Sequence, residues 1–173
     1  MNITTIRILL PAGLILLVPL VAMQFTNEVN WSFADFIAAG VLLISIGLAY
    51  EFVIRKNSST TYKIAFGVGL AAALLLIWSN LAVGIIGSED NPLNLMYFGV
   101  IVIVVIGAAA ARLKPKGMSR AMLMAAFAQT LSAIIAIVVE FENTTISSIE
   151  IILVNAFFIA LWVGSAFLFS KAK

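Results

Sequence analysis

The sequence predicts an all-α integral membrane protein: a six-helix bundle with short loops and with both termini on the cytoplasmic side. Three observations carry that expectation. Hydrophobic residues make up 63% of the chain and charged residues 10%, with a mean hydropathy of +1.15, whereas soluble domains run at about 45–50% apolar and about 25% charged. Apolar stretches of roughly 20 residues, enough to cross a hydrocarbon core about 30 Å thick, recur along the chain. Finally, all ten Lys and Arg residues fall at the two termini or on alternate connections, on one side of a six-span arrangement, as they do when cytoplasmic segments retain positive charge.

The helices are expected at about 7–25, 31–54, 62–86, 92–112, 120–140 and 148–170, in a single transmembrane domain, 1–173. The first follows Arg7 as the charge-free run Ile8–Thr26, and Pro11 and Pro19 predict a bend in it. A cleaved signal peptide competes for this segment, but Leu20-Val21-Ala22 makes a poor cleavage site. The second opens on Ser32-x-x-Asp35, a capping-box pattern in which the hydroxyl and the acid satisfy free backbone N–H groups. Near its end Glu51 stands one turn before Arg55, so an i,i+4 pair neutralises it.

The third helix, within Ile64–Ser88, carries Gly67, Gly69, Ala71 and Ala73 as two small-xxx-small pairs for close packing. Gly87 is placed to stop it at C′. The fourth starts with Asn91 as N-cap and Pro92 at N1, where a missing N–H costs nothing. Gly107 through Ala111 smooth its other end. The fifth follows the basic stretch Arg112–Arg120, and the sixth opens on Ser147-x-x-Glu150.

Charge then sorts the loops. Arg7, Arg55, Lys56, Lys63, Arg112, Lys114, Lys116, Arg120, Lys171 and Lys173 fall on one side of an N-in, C-in arrangement. Glu28, Asp35, Glu89, Asp90, Glu140, Glu142 and Glu150 fall on or near the other. Trp31 and Tyr97 are expected at the outer interface, Tyr50 and Tyr62 at the inner one.

The stretch Ile77–Val100, IWSNLAVGIIGSEDNPLNLMYFGV, resembles an uncharacterised family of small multi-pass bacterial inner-membrane proteins. NWSFADFIAAGVLL and GLAYEF, residues 30–43 and 47–52, are similar to that family's second span. The resemblance covers roughly helices 2 to 5. It implies a bacterial inner-membrane location and transfers no activity.

Chemistry is sparse. The chain has no Cys and no His. That excludes disulfides, thiolate or imidazole metal sites, His-ligated haem, iron–sulfur clusters on Cys and any His-based triad. No nucleophile elbow, zinc motif or P-loop occurs. Asp35 and Glu51 lie about 24 Å apart along one helix and cannot pair. No enzyme activity and no cofactor are expected, and no catalytic residue is assigned. An enzyme acting on lipid is the weakest of the readings. The basic loops are explained by topology, so their expected partners are the bilayer and anionic lipid headgroups rather than nucleic acid. A homo-oligomer is compatible with the sequence.

Intramembrane polar residues are the default functional signal. At 1.5 Å per residue, Asn80 lies about 6–10 Å and Asn155 about 8 Å below the outer surface, and Gln129, Thr130 and Ser132 lie near the midplane. Caps account for Asn91 and Pro92 in the loop after helix 3, but not for the paired acids Glu89 and Asp90, nor for Asn94. Asp35, Asn80, Glu89, Asp90 and Asn155 are therefore expected to face a shared, outward-opening site. Oxygen-rich and acidic, it suits hard cations or a small cationic solute, as in a transporter or channel-like protein. The alternative is a structural or accessory membrane protein whose polar residues serve interhelical hydrogen bonds.

Overall fold

The computed structural model describes residues 3–26, 29–56, 59–88, 90–140 and 148–172. Six α-helices run through them: α1 (Ile3–Ala22), α2 (Phe33–Lys56), α3 (Thr60–Ala82), α4 (Leu95–Ala110), α5 (Pro115–Val139) and α6 (Ser148–Lys171). A 3₁₀ turn, Pro92–Asn94, leads directly into α4. The described residues contain no strand, and all six helices, α4 together with its 3₁₀ turn, are long and apolar enough to span a membrane. The protein is a multi-pass membrane protein.

The chain packs as two units, Met1–Lys56 and Asn57–Lys173. In the first, α1 and α2 form a hairpin. Ile8 fits against Gly47, where an added Cβ would lie 2.8 Å from Ile8 Cγ2. Pro11 and Pro19 lie inside α1 without breaking it. The carboxylate of Glu51, 7% exposed, lies 3.4 Å from Arg55 Nε and 3.9 Å from Arg7 Nη1. Arg55 also reaches the Thr4 hydroxyl. The expected i,i+4 pair is therefore one arm of a clip that fastens α1 onto α2. A buried carboxylate with two guanidinium partners avoids the cost of a lone buried charge.

In the second unit α6 lies between α3 and α5, and α5 between α6 and α4. Although consecutive, α3 and α4 touch each other far less than α3 touches α6 or α4 touches α5. The buried stripe of α3 is Tyr62, Ala65, Phe66, Gly69, Ala72, Leu76 and Asn80. Of the four small residues expected to pack, only Gly69 is in it; Ala71 faces outward. The 3–4 spacing that starts from Tyr62 sets the phase, and small size alone does not. At Gly69 a Cβ would meet Ser165 Oγ at 3.1 Å and Met122 Sδ at 3.3 Å. The Ser165 hydroxyl donates to the Ala65 carbonyl at 2.8 Å, and Ser119 does the same to Ala166 at 2.8 Å. Small residues bring backbones close enough for hydroxyls to bond across them.

Gly107 makes the tightest helix–helix approach of this kind. A Cβ there would lie 2.6 Å from Ala121 Cβ and 3.3 Å from Ala121 Cα. Neither atom can swing aside, so α4 and α5 would have to separate. Gly107→Ala should therefore lower unfolding stability in detergent by about 1–3 kcal/mol, as overpacking does elsewhere. Gly99→Ala, with nothing within 4 Å of its Cβ position, should have no such cost. Equal melting temperatures for the two variants would contradict the contact.

α4 ends in a Schellman motif. The Leu113 N–H donates to the Ala108 carbonyl at 3.3 Å and the Arg112 N–H to Ala109 at 3.0 Å. Such a motif normally uses glycine at the left-handed position. Here Arg112 and Leu113 both have positive φ, 49° and 57°, and the hydroxyl of Tyr62 donates to the Leu113 carbonyl at 2.5 Å to hold the turn.

Candidate functional site

The loop between α3 and α4 is organised by one side chain, Asn94. The expected end of α3 near residue 86, with Gly87 at C′, is corrected: α3 stops at Ala82, Val83 is its C-cap, and Gly84 (φ +75°) takes the left-handed position. Gly87 (φ +66°) serves a second turn inside the loop. The reason lies ten residues further on. Asn94 Oδ1 accepts from the Ile85 N–H at 3.0 Å and the Ile86 N–H at 2.9 Å. Its Nδ2 donates to the Ser88 carbonyl at 2.7 Å and more weakly to the Ile86 carbonyl at 3.4 Å. Those amides, which α3 would otherwise use for another turn, are captured by a side-chain amide that mimics backbone. Ile85 and Ile86 are consequently buried, and so is Asn94, at 3% exposure.

Asn80, the last buried residue of α3, closes the corner by donating to the Asn94 carbonyl at 2.8 Å. Asn91 behaves as expected: it caps the 3₁₀ turn by accepting from the Leu93 N–H at 3.0 Å, with Pro92 at N1. Its Nδ2 also donates to Glu140 at the end of α5, at 2.9 Å.

A second polar group lies inside the unit. Gln129 of α5 donates to Asn155 Oδ1 of α6 at 2.8 Å. Asn155 Nδ2 donates to the Tyr97 hydroxyl at 3.1 Å and to the Ile151 carbonyl at 2.8 Å. Tyr97, expected at the outer interface, is fully buried in this chain of bonds, because α4 packs on α5 and the Tyr97 hydroxyl reaches Asn155 of α6. Gln129 Oε1 and Trp162 Nε1 are buried without a partner among the described residues.

Of the five predicted site residues the structure describes four, Asp35, Asn80, Asp90 and Asn155, each in a different setting. Asp35 is exposed in the first unit and closes the capping box: Ser32 donates to it from its N–H at 2.7 Å and from its hydroxyl at 2.8 Å, and the Asp35 N–H donates back to Ser32 Oγ at 3.3 Å. Asn80 is bonded to Asn94, and Asn155 to Gln129, Tyr97 and Ile151. Asp90 is exposed at the loop, and Glu89 lies outside the described residues, as does Ser147 of the expected cap on α6.

Asp90 lines an open depression of about 1000 Å³ beside the loop. Glu140 and Glu150 line it too, over an apolar floor that includes Ile85, Pro92 and Val154. Asn80 and Asn155 do not line it. Among the described residues no three Asp, Glu, His or Cys side chains stand close enough together to hold a metal ion. Asn94 was missed as the organiser, although one signal pointed at it: with Glu89 and Asp90, it was among the polar loop residues that capping left unexplained. Comparison with known proteins finds no family model, no curated protein and no solved structure that matches this chain.

Proposed function

We propose that this protein is a non-enzymatic structural or accessory component of a bacterial inner membrane, with its basic helix ends in the cytoplasm. One observation carries the reading. The amides at the depth where a solute layer was expected, Asn80 and Asn155, are engaged in bonds between or within helices of the second unit. Asn155 uses both its acceptor and its donor in this way and has little hydrogen-bonding capacity left to offer a solute. Membrane proteins use such bonds for helix association.

The depression supports a second reading, binding of a cation or small cationic solute, because Asp90, Glu140 and Glu150 border it and, among the described residues, no Lys or Arg does. Thermal unfolding of the protein in detergent, titrated with divalent and organic cations, separates the two. A bound ligand at about 100 times its Kd adds about 2.7 kcal/mol. The accessory reading expects a flat response for the wild type and no flux of the same cations in proteoliposomes. A cation-dependent gain that disappears in Asp90→Asn with Glu140→Gln would instead establish the binding reading.

A further inference from the structure

We infer that the basic end of the four-helix unit is a single composite seat for anionic phospholipid headgroups, assembled around Tyr62. The inference rests on the protein's place in a membrane and not on the accessory role proposed above.

In the sequence the basic residues belong to separate connections. The structure ties three of those segments to one buried side chain. Tyr62, in the first turn of α3, is fully buried. Its hydroxyl bonds the Leu113 carbonyl in the α4–α5 turn, and its ring stands edge-on to Phe169 near the end of α6, 5.0 Å between centroids. The residues next to those three anchors are charged. Lys63 follows Tyr62, Arg112 and Lys114 flank Leu113, and Lys171 lies two residues past Phe169. Lys116 and Arg120 continue the group along the first turns of α5.

Lys63 is half-buried and the other five are exposed. None of the six makes an ion pair among the described residues. The described carboxylates of this unit, Asp90, Glu140 and Glu150, belong to the opposite helix ends, roughly 35 Å away along helices of this length. Six like charges on one face repel each other unless anions from outside compensate them.

The form of the surface selects the anion. The charges ring helix ends whose sides are apolar and exposed, with Ile64 at 52% and Phe167 at 59%. The Lys171 ammonium stands 5.3 Å from the centre of the Phe167 ring, so a positive charge and an exposed apolar ring lie side by side at this helix end. A phosphodiester headgroup fixed above acyl chains meets both parts of this surface, whereas a free anion meets only the charges. The Schellman turn and the Tyr62 bond hold Arg112 and Lys114 in place, so the seat is formed before a lipid arrives.

The experiment uses the full chain in nanodiscs of phosphatidylcholine alone or of phosphatidylcholine with phosphatidylglycerol. Thermal unfolding is followed, and retained lipid is counted by native mass spectrometry. Phosphatidylglycerol should raise the melting temperature and remain bound after detergent extraction, and added salt should weaken both effects. Lys63→Gln with Arg112→Gln and Arg120→Gln should abolish the gain, while Lys56→Gln on the first unit should leave it intact. Tyr62→Phe keeps the ring and every charge but cuts the tie to Leu113, so the gain should shrink although net charge is unchanged. Equal melting temperatures in the two lipids would overturn the inference. So would a gain that survives the triple substitution, or one that inorganic phosphate reproduces in phosphatidylcholine. If Tyr62→Phe proves unstable, the triple variant and its Lys56→Gln control decide the question alone.

Discussion

Asn94→Ala should lower unfolding stability by roughly 2–5 kcal/mol, a large effect for one small polar side chain. The substitution removes the acceptor that holds the Ile85 and Ile86 N–H groups and the donor that holds the Ser88 carbonyl. All of these groups are in a corner where Ile85 and Ile86 are 7% and 0% exposed. A buried polar group left unpaired costs about 1–3 kcal/mol, far more than the net worth of a bond. Asn94→Leu should do no better, since it restores volume without hydrogen bonds. Chemical unfolding in detergent measures the loss, and amide exchange at Ile85 and Ile86 locates it. A variant within about 0.5 kcal/mol of wild type, the usual range for an uninvolved surface site, would show that Asn94 does not organise the loop.

Gly84→Ala should cost about 2–4 kcal/mol for two reasons that act together. A left-handed backbone costs an L-residue roughly 1–2 kcal/mol, and Gly84 has φ +75°. Its Cβ would also lie 2.5 Å from the Ser88 carbonyl oxygen and 2.8 Å from Asn94 Nδ2. The first contact is with backbone, and the second is with the amide that ties the loop, so relief of either clash disturbs the other. Gly84→Ala and Asn94→Ala should consequently be less than additive, because they damage one structure. Full additivity in the double variant would mean that the two positions act independently.

The existence and number of the helices were legible in the sequence because they depend on apolar content over a span's length, which any reading of composition detects. Both caps at Ser32 and Asn91, and the Glu51–Arg55 pair, were legible because they join residues two to four apart. The end of α3 was not. Apolar residues continue through Ile85 and Ile86, and their periodicity says nothing of a competing amide at position 94. Depth along a helix could be estimated for Asn80 and Asn155. The direction each faces could not, because successive residues point about 100° apart and the neighbours that give a direction its meaning are other helices. Tyr97 illustrates the same limit: an aromatic residue one turn into a span reads as interfacial until α6 offers it Asn155.

The packing order of the second unit has a consequence for how the chain is made. The bonds of Asn94 and Asn80 close across 6 to 14 residues, so the α3–α4 corner can form as soon as those two helices have left the ribosome. The seat of α3 cannot. Ser165 meets Ala65 across 100 residues, and α3 is held chiefly by α6, which is synthesised after α4 and α5. Until α6 arrives, the stripe from Ala65 to Leu76 lacks its principal partner and leans on α4 and α5 for what contact it has. Translation that stops before α6 should leave a nascent chain whose corner is finished while its helix bundle waits for a partner.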